Sequence, residues 1–574
     1  MAGLSNSSKD TLSKDHWRVL RPSLVLTLAV LIALAPFFTK PFNMDDPLFI
    51  WAARHIQINP FNPYGFDVNW YGTTTPMWDV TKNPPLLCYY LGGFGTLFGW
   101  SEVALHFAML LPAIFAILGT HKLARQCCNS PLLAAFLTLM TPVMLVSSTT
   151  VMCDVFMLAF WIWAVVFWIE GINSDKISRL LIAGVMVAMA ALSKYYGASL
   201  IPLLLLHGIV AKRRTGWWIA PLLIPVAMLS AYHLVTLHLY GRGLFSDAAS
   251  YSFSTSDAAN ILQTKATSSL TALAFTGGCL AVTTFLAPLL WSRKQLGLIA
   301  IIASATELLL LNTANLFTNY GMIEGSSKTF IVAQILFWAF GGVSILALTL
   351  NDVWTRRSPE AWLLCAWVIG TFLFTAAFNW TVNGRTLLPM TPAVAILVVR
   401  RMNQIHFFDG RGFRGLKAIP LVAGCLLALW VARADFLFAK ATRASAEETY
   451  HKHANDGGRF WFQGHWGFQY YMETLGAAAM DAERTLLQRG DIVATPENNT
   501  NFAPLGPELV VLREIILVKG PRCLTTMKGE VGAGFYASSR GFLPFALGDI
   551  PPDRVIVCVV DPQIPPTTIP TPVR

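Results

Sequence analysis

Two adjacent carboxylates, Asp45 and Asp46, lie in the run Asn43-Met44-Asp45-Asp46-Pro47, directly after an apolar segment. Ionised side chains at the end of a membrane helix are costly unless they stay wet, pair or bind a cation. As hard oxygen ligands the pair can hold a divalent cation, with His238 as a further ligand beside Asp45. Alternatively, one of them can act as general base toward a hydroxyl or an amine. A plainer role also fits, in which the acids cap a surface helix that begins at Pro47. Capping by Asp46 and chemistry at Asp45 are compatible.

Five further residues could join this chemistry, four of them of types that bind phosphate. Asp154 opens an apolar run in Met152-Cys153-Asp154-Val155, where a carboxylate either stabilises a helix N-terminus or joins Asp45 as a second acid. Lys194 follows an apolar segment in Ser193-Lys194-Tyr195-Tyr196, as a point-charge partner for phosphate or as a snorkelling interface lysine. Arg385, in Asn383-Gly384-Arg385-Thr386-Leu387-Leu388-Pro389, can clamp a phosphate in two-point fashion. Lys82 and Asn83 open the turn Lys82-Asn83-Pro84-Pro85-Leu86. Glu307 and His233 are weaker candidates. No nucleotide-binding glycine loop, nucleophile elbow or HExxH pattern stands out. That leaves an ion gradient or a lipid-linked donor as the energy source.

The elements that must position these residues are membrane helices. The chain has 574 residues, 54% of them hydrophobic and only 13% charged, against about 25% charged in a soluble domain. Apolar segments of helical length predict about 13 spans between residues 23 and 435, several of them short. The stretch 40–87 is then an outer loop rich in Trp, Tyr, Pro and Gly. With the N-terminal tail 1–22 in the cytosol and the first helix retained, the inner pieces carry 20 basic residues and the outer ones 8. This places Asp45, Asp46, Lys82, Asn83, Asp154, Lys194 and Arg385 on the outer side. An odd helix count also puts residues 436–574 outside, in the periplasm or its equivalent.

The net charge of +10 is spread over the inner pieces, where it sets topology, so nucleic acid is not expected as a partner. The nine cysteines include no CxxC pair, which argues against a zinc module. From about Ser445 the pattern predicts a small α/β domain. Strands are expected at Arg459–Phe462, Asp491–Ala494, Leu509–Leu512 and Val555–Cys558, with a helix starting at Trp466. Cys523 and Cys558 are candidates for a disulfide. Trp466 is a candidate to stack a sugar or to pack the domain core.

Taken in order, these motifs resemble a known family. An outer-loop Asp-Asp after the first helix, a Pro-Pro-Leu turn closing that loop and an Asp opening a later helix form one pattern. A Ser-Lys after a further helix and an Arg-Thr-Leu-Leu-Pro entry to a late helix complete it. This resembles the GT-C glycosyltransferases, in particular the dolichyl-phosphate-mannose protein mannosyltransferase and aminoarabinose transferase group. The resemblance spans about residues 20–400.

It implies an inverting transfer, on the outer face, of mannose or a related monosaccharide. The donor would be a polyprenyl-phosphate-linked sugar and the acceptor a glycan, lipid or protein. Asp45 would be the catalytic or metal-proximal acid, Asp46 its partner and Asp154 the second acid. Lys82, Asn83, Lys194 and Arg385 would contact the donor phosphate. Bacterial members often read Lys-Pro-Pro where this chain reads Lys82-Asn83-Pro84-Pro85, which leaves open whether Lys82 or Asn83 faces the phosphate. The neighbouring acid of some members is missing, which weakens the case for a bound metal. The rival readings are a transporter of polyprenyl-linked glycans and a polysaccharide ligase or polymerase. A transporter should show repeats and polar residues near the midplane, and neither is evident.

Overall fold

The computed structural model describes residues 7–253, 261–313, 326–407 and 414–560. It is a multi-pass helical membrane protein followed by a β-containing C-terminal domain. Among the described residues, seven helices are long and apolar enough to cross a membrane, or up to nine if two bent pairs each count as one span. Shorter apolar helices cover Arg21–Phe37, Leu86–Phe98 and Ile177–Ser193.

The difference from about 13 regular spans has local causes. The segment expected at 132–150 bends by 64° between Pro131–Leu139 and Pro142–Ser148. Thr141 caps the second half by accepting from the Met144 N–H, and Pro142 supplies its first turn. The segment at 268–291 bends by 84° after Cys279. The segment at 386–400 starts as a short turn, Gly384–Leu387, and passes through Pro389 before Thr391–Gln404 becomes regular. The helix Pro359–Leu373 closes with a π-helical turn, Phe374–Phe378, a feature frequent at functional sites. The last apolar helix, Arg414–His453, continues unbroken past position 435.

The loop 40–87 is itself folded. Asp46–Ile58 and Leu86–Phe98 are helices, and a two-stranded ribbon pairs Asp67–Asn69 with Thr74–Pro76. Beyond the membrane helices lies a five-stranded sheet. Its order is Ala478–Ala479, Phe460–Phe462, Ile492–Pro496, Asp553–Val560 and Val510–Val518. The first three strands run parallel and the remaining pairs antiparallel. The helix Trp466–Leu475 crosses between strand and loop. Cys523 and Cys558 are free thiols, one exposed and the other held in the sheet, so the expected disulfide is not formed.

The C-terminal domain sits directly on the loop 40–87. The Tyr471 hydroxyl accepts from the Phe42 N–H at 2.8 Å and donates to Glu102 at 3.0 Å. Asn69 donates to the Met480 carbonyl, and the Thr74 N–H donates to Asp481. Gly467 packs so closely that a Cβ there would lie 2.3 Å from the Phe42 carbonyl oxygen.

Candidate active site

Asp45 precedes the helix Asp46–Ile58 but makes no capping bond with its side chain. The preceding residue, Met44, holds φ at +50°, a left-handed conformation that costs a non-glycine residue about 1–2 kcal/mol. The turn it makes aims the Asp45 carboxylate away from the helix. The carboxylate instead meets Arg385 at 2.9 Å. Asp45 therefore faces Arg385 and a cavity, and not its own helix.

Arg385 is delivered by the Asn383 cap. The Asn383 side chain accepts from the Thr386 N–H at 2.9 Å and starts the short turn that carries the arginine. The guanidinium also lies 3.8 Å from Asp154, and its centre is 5.7 Å from the centroid of the Tyr536 ring. Burial alone would lower its pKa, but the two carboxylates outweigh that and hold it above its usual value.

Asp154 is almost wholly buried at the start of the helix Cys153–Ser174, and Lys194 donates to it at 2.6 Å. One buried acid thus holds two cations on the same wall. Removing a carboxylate from such a group would leave charge uncompensated at low dielectric.

These residues meet at a cavity of about 690 Å³. Asp45, Lys82, Asn83, Lys194 and Arg385 line it, as do Tyr64, Trp70, Tyr71, Tyr195, Tyr251 and Trp380. Lys82 and Asn83 both line the cavity. The Lys82 ammonium donates to the Asp79 carbonyl at 2.7 Å and lies 5.7 Å from the Tyr251 ring centre. Burial pulls its pKa down. The Asn83 carbonyl accepts from the Tyr64 hydroxyl at 2.8 Å, fixing the start of the Pro-Pro turn.

Three of the marked residues are not on the lining. Asp46 does not line the cavity: it is fully buried, and its two oxygens accept from the Asn43 and Val151 N–H groups. It fastens the loop to the next helix pair. Burial raises its pKa to about 7, against Lys40 and those two hydrogen bonds. Asp154 lies behind the cavity wall, against Lys194 and Arg385. His238 is exposed and does not line the cavity, so the structure does not bring it to Asp45 as a metal ligand. His233 also lies outside the lining, and the Glu307 side chain lies outside the described residues.

A divalent cation is poorly served by this donor set. Asp45 is paired with a guanidinium, Asp46 with backbone N–H groups and Asp154 with two cations. No cluster of three His, Cys, Asp or Glu able to hold a metal occurs among the described residues.

Beyond marking Trp466 as a candidate to stack a sugar, sequence reasoning did not find the contribution of the C-terminal domain. His465, Trp466, Thr500, Asn501, Tyr536 and Arg540 close the cavity from outside. The Tyr536 hydroxyl donates to Asp435 at 3.0 Å, which joins this wall to the last membrane helix. Its only signal in the sequence was the aromatic turn Gln463-Gly464-His465-Trp466.

Comparison with known proteins places this site in context. Residues 82–240 match the family model of dolichyl-phosphate-mannose-protein mannosyltransferases. No curated protein sequence matches the chain. Among solved structures, an oligosaccharyltransferase, AglB, from Archaeoglobus fulgidus with an inhibitory peptide and a dolichol-phosphate aligns with TM-score 0.48 and 13% identity over 81% of this chain. The chain spans 64% of that protein's length. ArnT from Cupriavidus metallidurans, bound to undecaprenyl phosphate, aligns with TM-score 0.47 and 12% identity, covering 84% of this chain and 93% of that one. The arabinofuranosyltransferase AftD from Mycobacteria aligns with TM-score 0.38 and 12% identity over 96% of this chain and 40% of its own. In its motifs, and in the match of residues 82–240, the chain resembles the GT-C membrane glycosyltransferases of the dolichyl-phosphate-mannose-protein mannosyltransferase type.

Proposed function

We propose that the protein is a membrane glycosyltransferase that moves a sugar from a polyprenyl-phosphate carrier to an acceptor hydroxyl or amine on the outer face. The observation that carries this reading is the Asp45–Arg385–Asp154–Lys194 group at the cavity. It sets one accessible carboxylate beside cations whose own charges are held in place from behind.

In the transfer, Asp45 takes the proton from the acceptor as its oxygen or nitrogen attacks the anomeric carbon. The bond from that carbon to the phosphate oxygen breaks, and its electron pair leaves with the phosphate. Arg385, Lys194, Lys82 and the Asn83 amide stabilise the charge that develops there. Attack from the side opposite the phosphate inverts the anomeric centre. Mannose is the first sugar to test because the matched family model is of mannosyltransferases. The orientation that the basic residues favour puts the cavity and the C-terminal domain on the outer side.

The test is turnover of radiolabelled polyprenyl-phosphate mannose by purified protein in nanodiscs, read as release of polyprenyl phosphate with and without an acceptor mixture. Consumption of the donor supports the reading. No consumption of this donor, nor of a panel with other sugars on the same carrier, would overturn it.

A further inference from the structure

The cavity has a second cationic feature on the wall formed by the C-terminal domain. Arg540 is half-buried there, with its guanidinium carbon 5.6 Å from the centre of the Trp466 ring. One of its N–H groups goes to the Asn499 carbonyl. A guanidinium offers five N–H donors, and among the described residues no carboxylate lies within 4 Å of this one. Burial lowers its pKa, but an arginine stays charged throughout the physiological range. The nearby His465 does not supply a counter-charge. Burial first, and Arg540 second, hold its ring down to about 3, so it is neutral.

This contrasts with the opposite wall. Arg385 has Asp45 and Asp154, and Lys194 has Asp154. Arg540 is the cation of the cavity lining that the protein itself leaves without a carboxylate in reach, apart from Lys82, which sits at the limit of reach of Asp79 at 4.0 Å. A partly buried charge left uncompensated is costly, and an anionic ligand at this place would remove the cost.

The surroundings of Arg540 are built, and at some expense. Trp466 holds φ at +63°, which a bulky residue rarely adopts. It is kept there by Asn499, which is buried and clamps His465 from both sides. The Asn499 side-chain oxygen accepts from the His465 N–H at 2.9 Å, and its amide donates to the His465 carbonyl at 2.8 Å. Asn501, also on the lining, holds φ at +60°. The strained turn presents the Trp466 ring to the cavity with the guanidinium beside it.

We propose that Arg540, Trp466 and Asn501 form a second anion subsite that takes an acidic group of the acceptor, a phosphate or carboxylate attached to a ring that stacks on Trp466. The assignment to the acceptor rests on the reading above that the Arg385 wall takes the donor phosphate. The acceptor is accordingly an acidic glycan or a phosphorylated glycolipid headgroup. Its nucleophile reaches Asp45 while its acid is held by the C-terminal domain.

The experiment is labelling of Arg540 by phenylglyoxal in wild-type protein in zwitterionic nanodiscs, quantified by peptide mass spectrometry. Undecaprenyl phosphate is first added to saturation, then glucose 6-phosphate, glucuronate or neutral methyl glucoside. Glucose 6-phosphate or glucuronate should slow Arg540 labelling several-fold and saturably on top of the carrier, whereas methyl glucoside should not. Protection by glucose 6-phosphate alone assigns a phosphorylated acceptor, and protection by glucuronate alone an acidic glycan. Full protection by undecaprenyl phosphate itself, with nothing added by the soluble acids, would overturn the proposal and give Arg540 to the donor. Unchanged labelling with every acid would overturn it as well. Parallel arms with the same three compounds and no carrier keep this test separate from the donor reading. If undecaprenyl phosphate fails to alter Arg385 labelling, the donor site is wrong, while soluble-acid protection of Arg540 still reports on the subsite. As a second measurement, Arg540→Gln should weaken binding of radiolabelled glucose 6-phosphate by about tenfold or more, the loss of one charge-assisted contact. The unfolding temperature of the variant serves as its control for folding.

Discussion

Lys40, at the start of the outer loop, and Asp435, in the last membrane helix, form an ion pair of 2.5 Å although 395 residues separate them. Both side chains are only 1% exposed. Thr149 accepts a further bond from the ammonium, while Thr526 and Tyr536 donate to the carboxylate. First loop, last helix and C-terminal domain thus meet at one buried charge pair, and Tyr536 carries that order to the ring beneath Arg385.

Breaking this pair from one side should be severe. Lys40→Met or Asp435→Asn is expected to destabilise the fold by about 3–5 kcal/mol, because each leaves a buried charge or donor without its partner. The double variant Lys40→Met with Asp435→Asn should lose less than the sum of the two. Unfolding in detergent, followed by tryptophan fluorescence, reads all three.

The two cations held by Asp154 should matter for rate more than for folding. Arg385→Gln is expected to lower kcat by about 10²–10³-fold, the cost of removing one donor aimed at developing charge. Arg385→Lys should recover little of it, since an ammonium cannot bridge Asp45 and a phosphate with a fixed fork. Asp154→Asn should act in the same direction through both cations. Donor turnover at saturating and limiting donor separates the effect on kcat from that on KM.

Asp46 gives a pH dependence whose sign is set by its raised pKa. In the unfolded chain the acid titrates near its ordinary value of 3.8, and in the folded protein near about 7. Between those two values the folded state binds more protons than the unfolded state, so this group's contribution to stability falls as pH rises. The contribution is fully present below about 4 and fully lost above about 7. Wild-type unfolding temperature should carry this fall between pH 4 and 7, and Asp46→Asn should flatten it.

Gly467 tests the seating of the C-terminal domain on the loop. A methyl group there would meet the Phe42 carbonyl, a rigid backbone atom, and Asn43 just beyond it. Gly467→Ala is expected to cost about 1–3 kcal/mol of stability, as overpacking does. It should also lower turnover, because the displaced Asn43 stands two residues from Asp45. An unaltered unfolding temperature would show that the domain is not seated as described.

Much of this was legible in the sequence, and the reasons differ by element. The four expected strands and the helix at Trp466 appear within a few residues of where apolar runs bounded by turn residues put them, because a small domain must bury those runs. Asp45, Lys82, Asn83, Lys194 and Arg385 were marked by polarity at the ends of apolar segments, and they do share one cavity. Polarity could not tell Asp45 from Asp46. Their roles are divided by the left-handed turn at Met44, which no residue type announces. Hydropathy also could not foresee the bends at 140 and 280, since both halves of each segment are equally apolar. The Lys40–Asp435 pair and the Arg540 wall depend on contacts between distant parts of the chain, and no local pattern encodes them.

The assignment of Asp45 as the base is tested most directly by single-turnover transfer with Asp45→Asn in nanodiscs. Binding of polyprenyl-phosphate mannose is measured on the same preparation. Asn keeps the size of the side chain and cannot accept the acceptor's proton. The expected result is retained donor binding, an unaltered unfolding temperature and a loss of transfer of about 10²–10⁴-fold, the range of general base catalysis. Transfer at the wild-type rate by Asp45→Asn would contradict the account, leaving the cavity as a binding site whose base lies elsewhere.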